Sequence, residues 1–458
     1  MTLFVALTVW TVGLVGLLAA GRLSLWDAGF LVVAPWAVLA ATIRPDWLLL
    51  ALIALPANIT AVVQTRRLLI LIVVALVSTV FTRSTSRLRV GGGLMALLAI
   101  ALAGYVFQAD VGVAARDINQ SLMMLITYYV LLAVLAFNLA MLGELDGVRL
   151  GKAFVLGVAT TLIFGLAGFE SVWFPSGGGI VSRTYLGYLA VGGFGVGLAG
   201  LLSADRGEHP AIIGRLATTA LLGLTIASLG RAVWFAAAIT FVLLIVRSDR
   251  RVYLLIAILA IVLALTIPGA RQELASSKSG DIAAAFRTGE ITTGRWKLWT
   301  ELWDRAEPAL PWGNGFGFTW SLSSEELFGS EGIFTEGDSG IVHPHNDFLF
   351  LLVEFGLPGL LLLAFFWFQL LRAYFRVAGS PNRLLRFNGQ VLLGVVITGL
   401  TMALVDNLFG IRPFAERFFP VVGVMFALGR MESVRRETSL AHSNPQDVGR
   451  LSGKPTRT

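Results

Sequence analysis

The sequence predicts an all-α polytopic membrane protein, and three observations lead there. Apolar runs of 15 to 25 residues recur from one end of the chain to the other, each long enough for a hydrocarbon core about 30 Å thick. Mean hydropathy is +0.79, and only 14% of the 458 residues are charged, against about 25% in soluble domains. The runs are continuous rather than alternating, which suits closed helices and not barrel strands.

Taken in order, candidate spans fall at 3–20, 26–42, 47–62, 68–82, 91–107, 120–141, 151–168, 184–202, 215–229, 231–246, 252–268, 347–371, 388–405 and 413–430. Pro56 interrupts 47–62, and 68–82 is short, so the expected count is 12–14 transmembrane helices. The start, MTLFVALTVW, has no basic region ahead of its apolar run and reads as a first span rather than a cleaved signal peptide. With no cysteine, thiol, iron–sulfur and disulfide chemistry are excluded. The formal net charge of +7 points to basic inner loops facing anionic lipid, not to nucleic acid.

Arg and Lys in short loops set the expected orientation. Arg83, Arg87, Arg89, Arg149, Lys152, Arg206, Arg215, Arg247, Arg250, Arg251, Arg372, Arg376, Arg383, Arg386, Arg430, Arg435 and Arg436 share one side, taken as cytoplasmic. Arg66 and Arg67 fall on the other. This divides the chain into an N-terminal helix bundle, 1–268, a large extracytoplasmic loop, 269–346, C-terminal helices, 347–430, and a polar tail, 431–458, expected to be disordered. The loop carries six Arg or Lys and eleven Asp or Glu. In it Trp296, Trp299 and Trp303 recur at helical spacing, a pattern for a Trp-lined helix at the membrane interface. PWGNGFG then breaks the helix.

Chemistry concentrates where the loop ends, at HPHND before the run from Phe348. An imidazole at His345 can take a proton from a hydroxyl at neutral pH, or it can simply order the loop. Asn346 or Asp347 is placed to cap the helix, whose free N–H groups are a potential anion site. His343 and His345 with Asp338 or Asp347 make a poor metal set, and no metal or cofactor is expected. Arg231 stands alone between two apolar runs, where a charge is costly and is either functional or reaches out to lipid phosphate. Arg295 opens the Trp helix with a planar fork suited to phosphate. Arg183 follows a glycine-rich outer loop. Asp406 and Arg412 flank a short outer turn and can pair with each other.

Three segments resemble the O-antigen ligase and polymerase superfamily of polytopic bacterial proteins. HPHNDFLFLLVEFGLPGLLLL is similar to its HN-aromatic-leucine motif and the following Glu-x-Gly-x-x-Gly turn. GRWKLWTELWDRAEPALPWGNGFG is similar to its Arg-x-x-x-Trp segment and glycine turn, and SLGRAVWFAAAITFVLLI to its Ser-Arg-Gly-like start of a span. The signature region covers 180–430; Leu229 stands where serine is common. The resemblance implies a glycosyltransferase-C-like fold and metal-independent transfer of a glycan from undecaprenyl diphosphate to an acceptor hydroxyl. It implies that this happens at the outer face of a bacterial cytoplasmic (inner) membrane. By matching, Arg231 and Arg295 hold the diphosphate, His345 is the base and Arg183 is a further donor contact; His343 has no clear counterpart in the family and is named as a substrate neighbour only for lying nearby. Expected partners are the lipid-linked glycan donor, a glycan or lipid-glycan acceptor, the bilayer, and glycan assembly or flippase proteins. A ligase is favoured over a polymerase of the same superfamily, and a lipid-linked glycan transporter is the non-enzymatic alternative.

Overall fold

A computed structural model describes residues 42–55, 65–82, 90–107, 113–166, 183–203, 212–227, 231–246, 295–322, 344–409 and 412–443. Candidate spans 3–20 and 252–268, and all of 26–42 but its last residue, lie outside the described residues. Among the described residues the regular structure is helical throughout. The N-terminal part supplies α1 (Pro45–Ala54), α2 (Thr65–Thr82), α3 (Gly92–Val106), α4 (Val113–Met141) and α5 (Gly147–Leu166). Then come α6 (Arg183–Ser203), α7 (Ile212–Ala227) and α8 (Arg231–Val246). The loop region holds α9 (Arg295–Ala306) and the short α10 (Phe318–Ser321), and the chain closes with α11 (Asp347–Ala378), α12 (Arg383–Val405) and α13 (Arg412–Ser443).

Gln120–Met141 within α4, together with α11 and α12, is long and apolar enough to cross a membrane. Six shorter apolar helical stretches accompany them. Residues 413–430, expected as the last span, are helical within α13 and carry Glu416 and Arg417, both buried. The helix also continues to Ser443, so the first part of the expected polar tail is helical.

α1 ends earlier than its hydropathy suggests. Pro56 disfavours helical backbone at the residue before it, and Leu55 is extended, with φ −64° and ψ 149°. A helix that stops inside a bundle leaves carbonyls to satisfy. Thr160 of α5 donates to the Ala54 carbonyl at 2.8 Å, and the Arg417 guanidinium donates to the Leu55 carbonyl. The buried arginine thus caps a helix C-terminus, where its charge also suits the dipole.

Helix directions sort the chain into two ends. Gly195 of α6 and Gly394 of α12 meet so closely that a Cβ on either would lie 2.6 Å from the other's Cα, with Thr240 of α8 alongside. Tyr188 reaches Asp406, so α6 and α12 are antiparallel. In α7, Leu221 sits by Gly193 and Thr218 by Gly197, which reverses the chain again. Trp234 Nε1 donates to the Ile226 carbonyl at 3.2 Å, marking the turn into α8. At about 1.5 Å per residue, Arg183, Arg231 and Asp406 then stand about 18, 14 and 18 Å beyond the shared glycine level, all toward one end.

That end also receives the start of α11 and the close of α3, where the Phe316 N–H donates to the Phe107 carbonyl at 2.7 Å. The opposite end holds Asp46 paired with Arg44 and Arg149, and Arg376, Arg386 and Arg436 bonded to Ser433, Ser380 and Gly379 around the turn from α11 to α12. The Val148 N–H, donating to Asn388 Oδ1, ties the two groups together. Ser78 of α2 donates to Thr42 at that opposite end. The helix start with Arg66 and Arg67 therefore lies toward the site's end of the bundle, away from the other basic residues of the short loops.

α11 is broken at Gly356, whose φ of 63° and ψ of −151° suit glycine, with Pro358 just after. The break frees backbone groups, and the PWGNGFG turn takes them up. Asn314 and Gly315 N–H donate to the carbonyls of Val353 and Glu354, both at 2.9 Å, and Leu357 N–H donates to Pro311 at 2.8 Å. A Cβ on Gly313 would meet the Glu354 carbonyl at 2.6 Å. The fully buried Glu354 carboxylate accepts from the N–H groups of Gly317, Phe318 and Thr319 and from the Thr319 hydroxyl. A buried carboxyl at the start of α10 with this many donors has its hydrogen-bonding needs met. Two motifs read separately in the sequence are thus one clamp.

Candidate functional site

The site is built where α11 begins. Asn346 caps that helix, its Oδ1 accepting from Phe348 and Leu349 N–H at 3.0 Å each. The expected anion site at this helix start is therefore occupied by the chain's own cap. Next to it His345 has φ 50°, a left-handed conformation uncommon for a residue with a side chain. Surrounding bonds hold it there. Trp299 of α9 donates Nε1–H to the Pro344 carbonyl at 2.8 Å, and Asp347 Oδ2 accepts from the Leu408 N–H at 2.9 Å.

The His345 ring, about one-fifth exposed, places Nδ1 3.1 Å from Oδ1 of the buried Asp406. The other carboxylate oxygen of Asp406 accepts from the Tyr188 hydroxyl at 3.2 Å. A carboxylate at Nδ1 favours the tautomer with hydrogen on Nδ1, which makes Nε2 the basic nitrogen. Leu122, Pro344, His345, Asn346, Asp347, Phe350 and Asn407 line a small pocket at this point.

Arg295 joins them. Its Nη1 donates to the carbonyl of Val405, the residue before Asp406. The face of α9 set into the protein is Leu298, Leu302 and Ala306, while Trp296 and Trp303 remain exposed. A helix stands where the sequence predicts one, but the three indoles do not share a face: Trp299 packs beside Leu298 and Leu302, while Trp296 and Trp303 point away.

Other sequence-based assignments fare differently. Asp406 does not pair with Arg412: Arg412 Nε donates to Glu416 Oε1 at 2.6 Å, and Asp406 serves His345 and Tyr188. Arg183 and Arg231 open α6 and α8 at the site's end of the bundle, and their side chains lie outside the described part of the structure. His343 and Asp338 lie outside the described residues. Among the described residues no group of three or more His, Asp or Glu side chains is placed to share a metal ion. Tyr188 and Glu354 escaped the sequence reading as site partners. For Glu354 the available signal was a lone carboxylate in an apolar run, two residues before a glycine and four before a proline.

An all-helical, strongly apolar bundle with a polar, charged site at one end defines the class: a helical membrane protein. Residues 216–364 match the family model described as O-Antigen ligase. Over that stretch, which includes Arg231, Arg295, His345 and Glu354, the chain resembles the O-antigen ligase and polymerase superfamily. Tyr188 and Asp406 lie beyond the matched stretch on either side. A search of curated proteins found no match.

Proposed function

We propose that this protein transfers a glycan from undecaprenyl diphosphate to an acceptor hydroxyl, at the extracytoplasmic face of a bacterial inner membrane. The observation that carries the reading is the His345–Asp406 pair, 3.1 Å apart, beside the Arg295 guanidinium. The matched family supplies the substrate class. The basic residues at the opposite end supply the orientation, because such residues favour the cytoplasmic side.

The reaction follows from these groups. His345 Nε2 accepts the proton of the acceptor hydroxyl as its oxygen attacks the anomeric carbon. Asp406 stabilises the imidazolium that forms, and Tyr188 holds Asp406 in place. The bond from the anomeric carbon to the diphosphate oxygen breaks, and the diphosphate leaves with the electron pair. Arg295, with Arg231 and Arg183 at the same end, takes up the developing negative charge in the part a metal plays elsewhere. Direct attack inverts the anomeric centre. His343 lies close enough in sequence to contact the same substrate.

We favour a ligase, with a polymerase as the second reading. Purified protein in lipid nanodiscs, given an undecaprenyl-diphosphate oligosaccharide, separates them. A single transfer that requires added acceptor supports a ligase, and a ladder without acceptor supports a polymerase. A protein that releases no diphosphate with any acceptor present contradicts both.

A further inference from the structure

We infer that the exposed indole edge of α9, with the turn after it, is the track along which the isoprenoid chain of the lipid diphosphate runs to Arg295. The inference rests on the transfer reading above and adds where the lipid part of the donor lies.

Three indoles are exposed here: Trp296 at 65%, Trp303 at 46% and Trp312 at 76%. Trp296 and Trp303 are two helical turns apart and share a face, separated by about 10 Å along the axis. That face is turned away from Leu298, Leu302 and Ala306, which are set into the protein, and both rings keep much of their surface exposed.

What lies at each end of the edge decides its use. At the far end Trp312 follows Pro311, whose carbonyl accepts from Leu357 N–H at the α11 break. The break divides α11 into two regimes. From Phe350 to Gly356 every residue is buried; from Leu357 onward an outward apolar row begins, with Leu357 42% and Leu361 64% exposed. Such a row on a membrane-crossing helix faces hydrocarbon. The near end is Trp296, adjacent to Arg295, and Arg295 reaches Val405 beside the His345–Asp406 pair. The edge therefore leads from a lipid-facing row to a cation at the reaction site.

The occupant must match both ends. It needs an apolar chain long enough to leave the hydrocarbon layer and an anionic head at Arg295. An isoprenoid diphosphate has both. Indole also tolerates the boundary between lipid and water, so the rings remain stable when the track is empty.

The test uses the full-length protein in nanodiscs and two donors with the same oligosaccharide, one on undecaprenyl and one on geranyl diphosphate. In Trp296→Ala/Trp303→Ala, kcat/KM for the undecaprenyl donor should fall about tenfold or more, while the geranyl donor is used as by the unaltered protein. Equal loss for both donors, or no loss for either, overturns the track. A second readout needs no transfer. A photoreactive isoprenoid diphosphate without sugar should label the 295–312 segment, and less so in the double variant. Labelling of that segment to the same extent by a photoreactive phosphatidylglycerol overturns the proposal and leaves an interfacial belt. If the isoprenoid probe labels the segment selectively but no glycan is ever transferred, the track stands and the transfer reading fails.

Discussion

At the end of the bundle opposite the site, Glu432 accepts from Ser380 at 2.7 Å, from Arg435 at 2.9 Å and from Arg436 at 2.7 Å. At the site end, Asp406 holds His345 and Tyr188, and Arg295 reaches a single backbone carbonyl. Both use buried carboxylates, but they differ in how the partners are assembled. Arg435 and Arg436 stand three and four residues from Glu432, one helical turn away, and each backs up the other. His345 and Asp406 are 61 residues apart, Arg295 and Val405 are 110, and Tyr188 and Asp406 are 218. Partners one turn apart form whenever the helix forms. Partners gathered from four helices form only when the whole fold is right. The first arrangement suits stability, the second suits chemistry.

Substitutions can break this contrast. Among the groups around the imidazole, the largest loss is expected from Arg295→Ala: transfer slower by about 10²- to 10³-fold, the scale of losing one preorganised charge stabiliser. Arg295→Lys should recover little, because an ammonium does not reproduce the planar fork. Initial-rate assays with purified variants of normal thermal stability check both. Asp406→Asn comes next, at about 10- to 100-fold, as for outer partners of functional imidazoles elsewhere. Tyr188→Phe should cost only a few-fold, since it removes a support of Asp406 and leaves the imidazole contact in place. A Tyr188→Phe loss as large as that of Asp406→Asn would give the hydroxyl a direct role.

The smallest effect belongs to the opposite end. Glu432→Gln should leave transfer unchanged and lower stability modestly. Arg435 holds the Glu432 carboxyl down against the opposing effect of burial, and Arg436 and Ser380 assist, bringing its pKa to about 2. A carboxyl depressed in the folded state stabilises fully above its unfolded value, near about 4.3, and that contribution fades as pH falls toward about 2. Thermal unfolding of the two proteins should differ at neutral pH and converge as pH drops through this window. A constant gap across it would contradict the ion-pair account.

Much of this was legible from sequence, for physical reasons that can be named. His345 was marked by its position where a polar loop becomes an apolar helix, Arg295 by the helix it opens, and Asn346 by its fitness as a cap. The partner of His345 was not legible. Asp406 stands six residues from Arg412, and the near pairing looked sufficient; only the fold brings α11 against the end of α12. Glu354 stood in the Glu-x-Gly-x-x-Gly turn with nothing in the sequence to show what it binds, and Arg417 was hidden by the apolar run around it. Their partners, the α10 N-terminus and the broken end of α1, exist only after packing. The extension of α13 was missed because Glu432 and its arginines, not an apolar face, carry the helix past the end of the hydropathy signal.

The central claim is that one imidazole, oriented by a distant carboxylate, takes the acceptor's proton while guanidinium charge receives the departing diphosphate. Single-turnover transfer by His345→Ala, with donor binding measured on the same preparation, tests it most directly. The account predicts donor bound with unchanged affinity and transfer slowed by about 10²- to 10⁴-fold. Transfer at the unaltered rate by a folded, donor-saturated His345→Ala protein would contradict it.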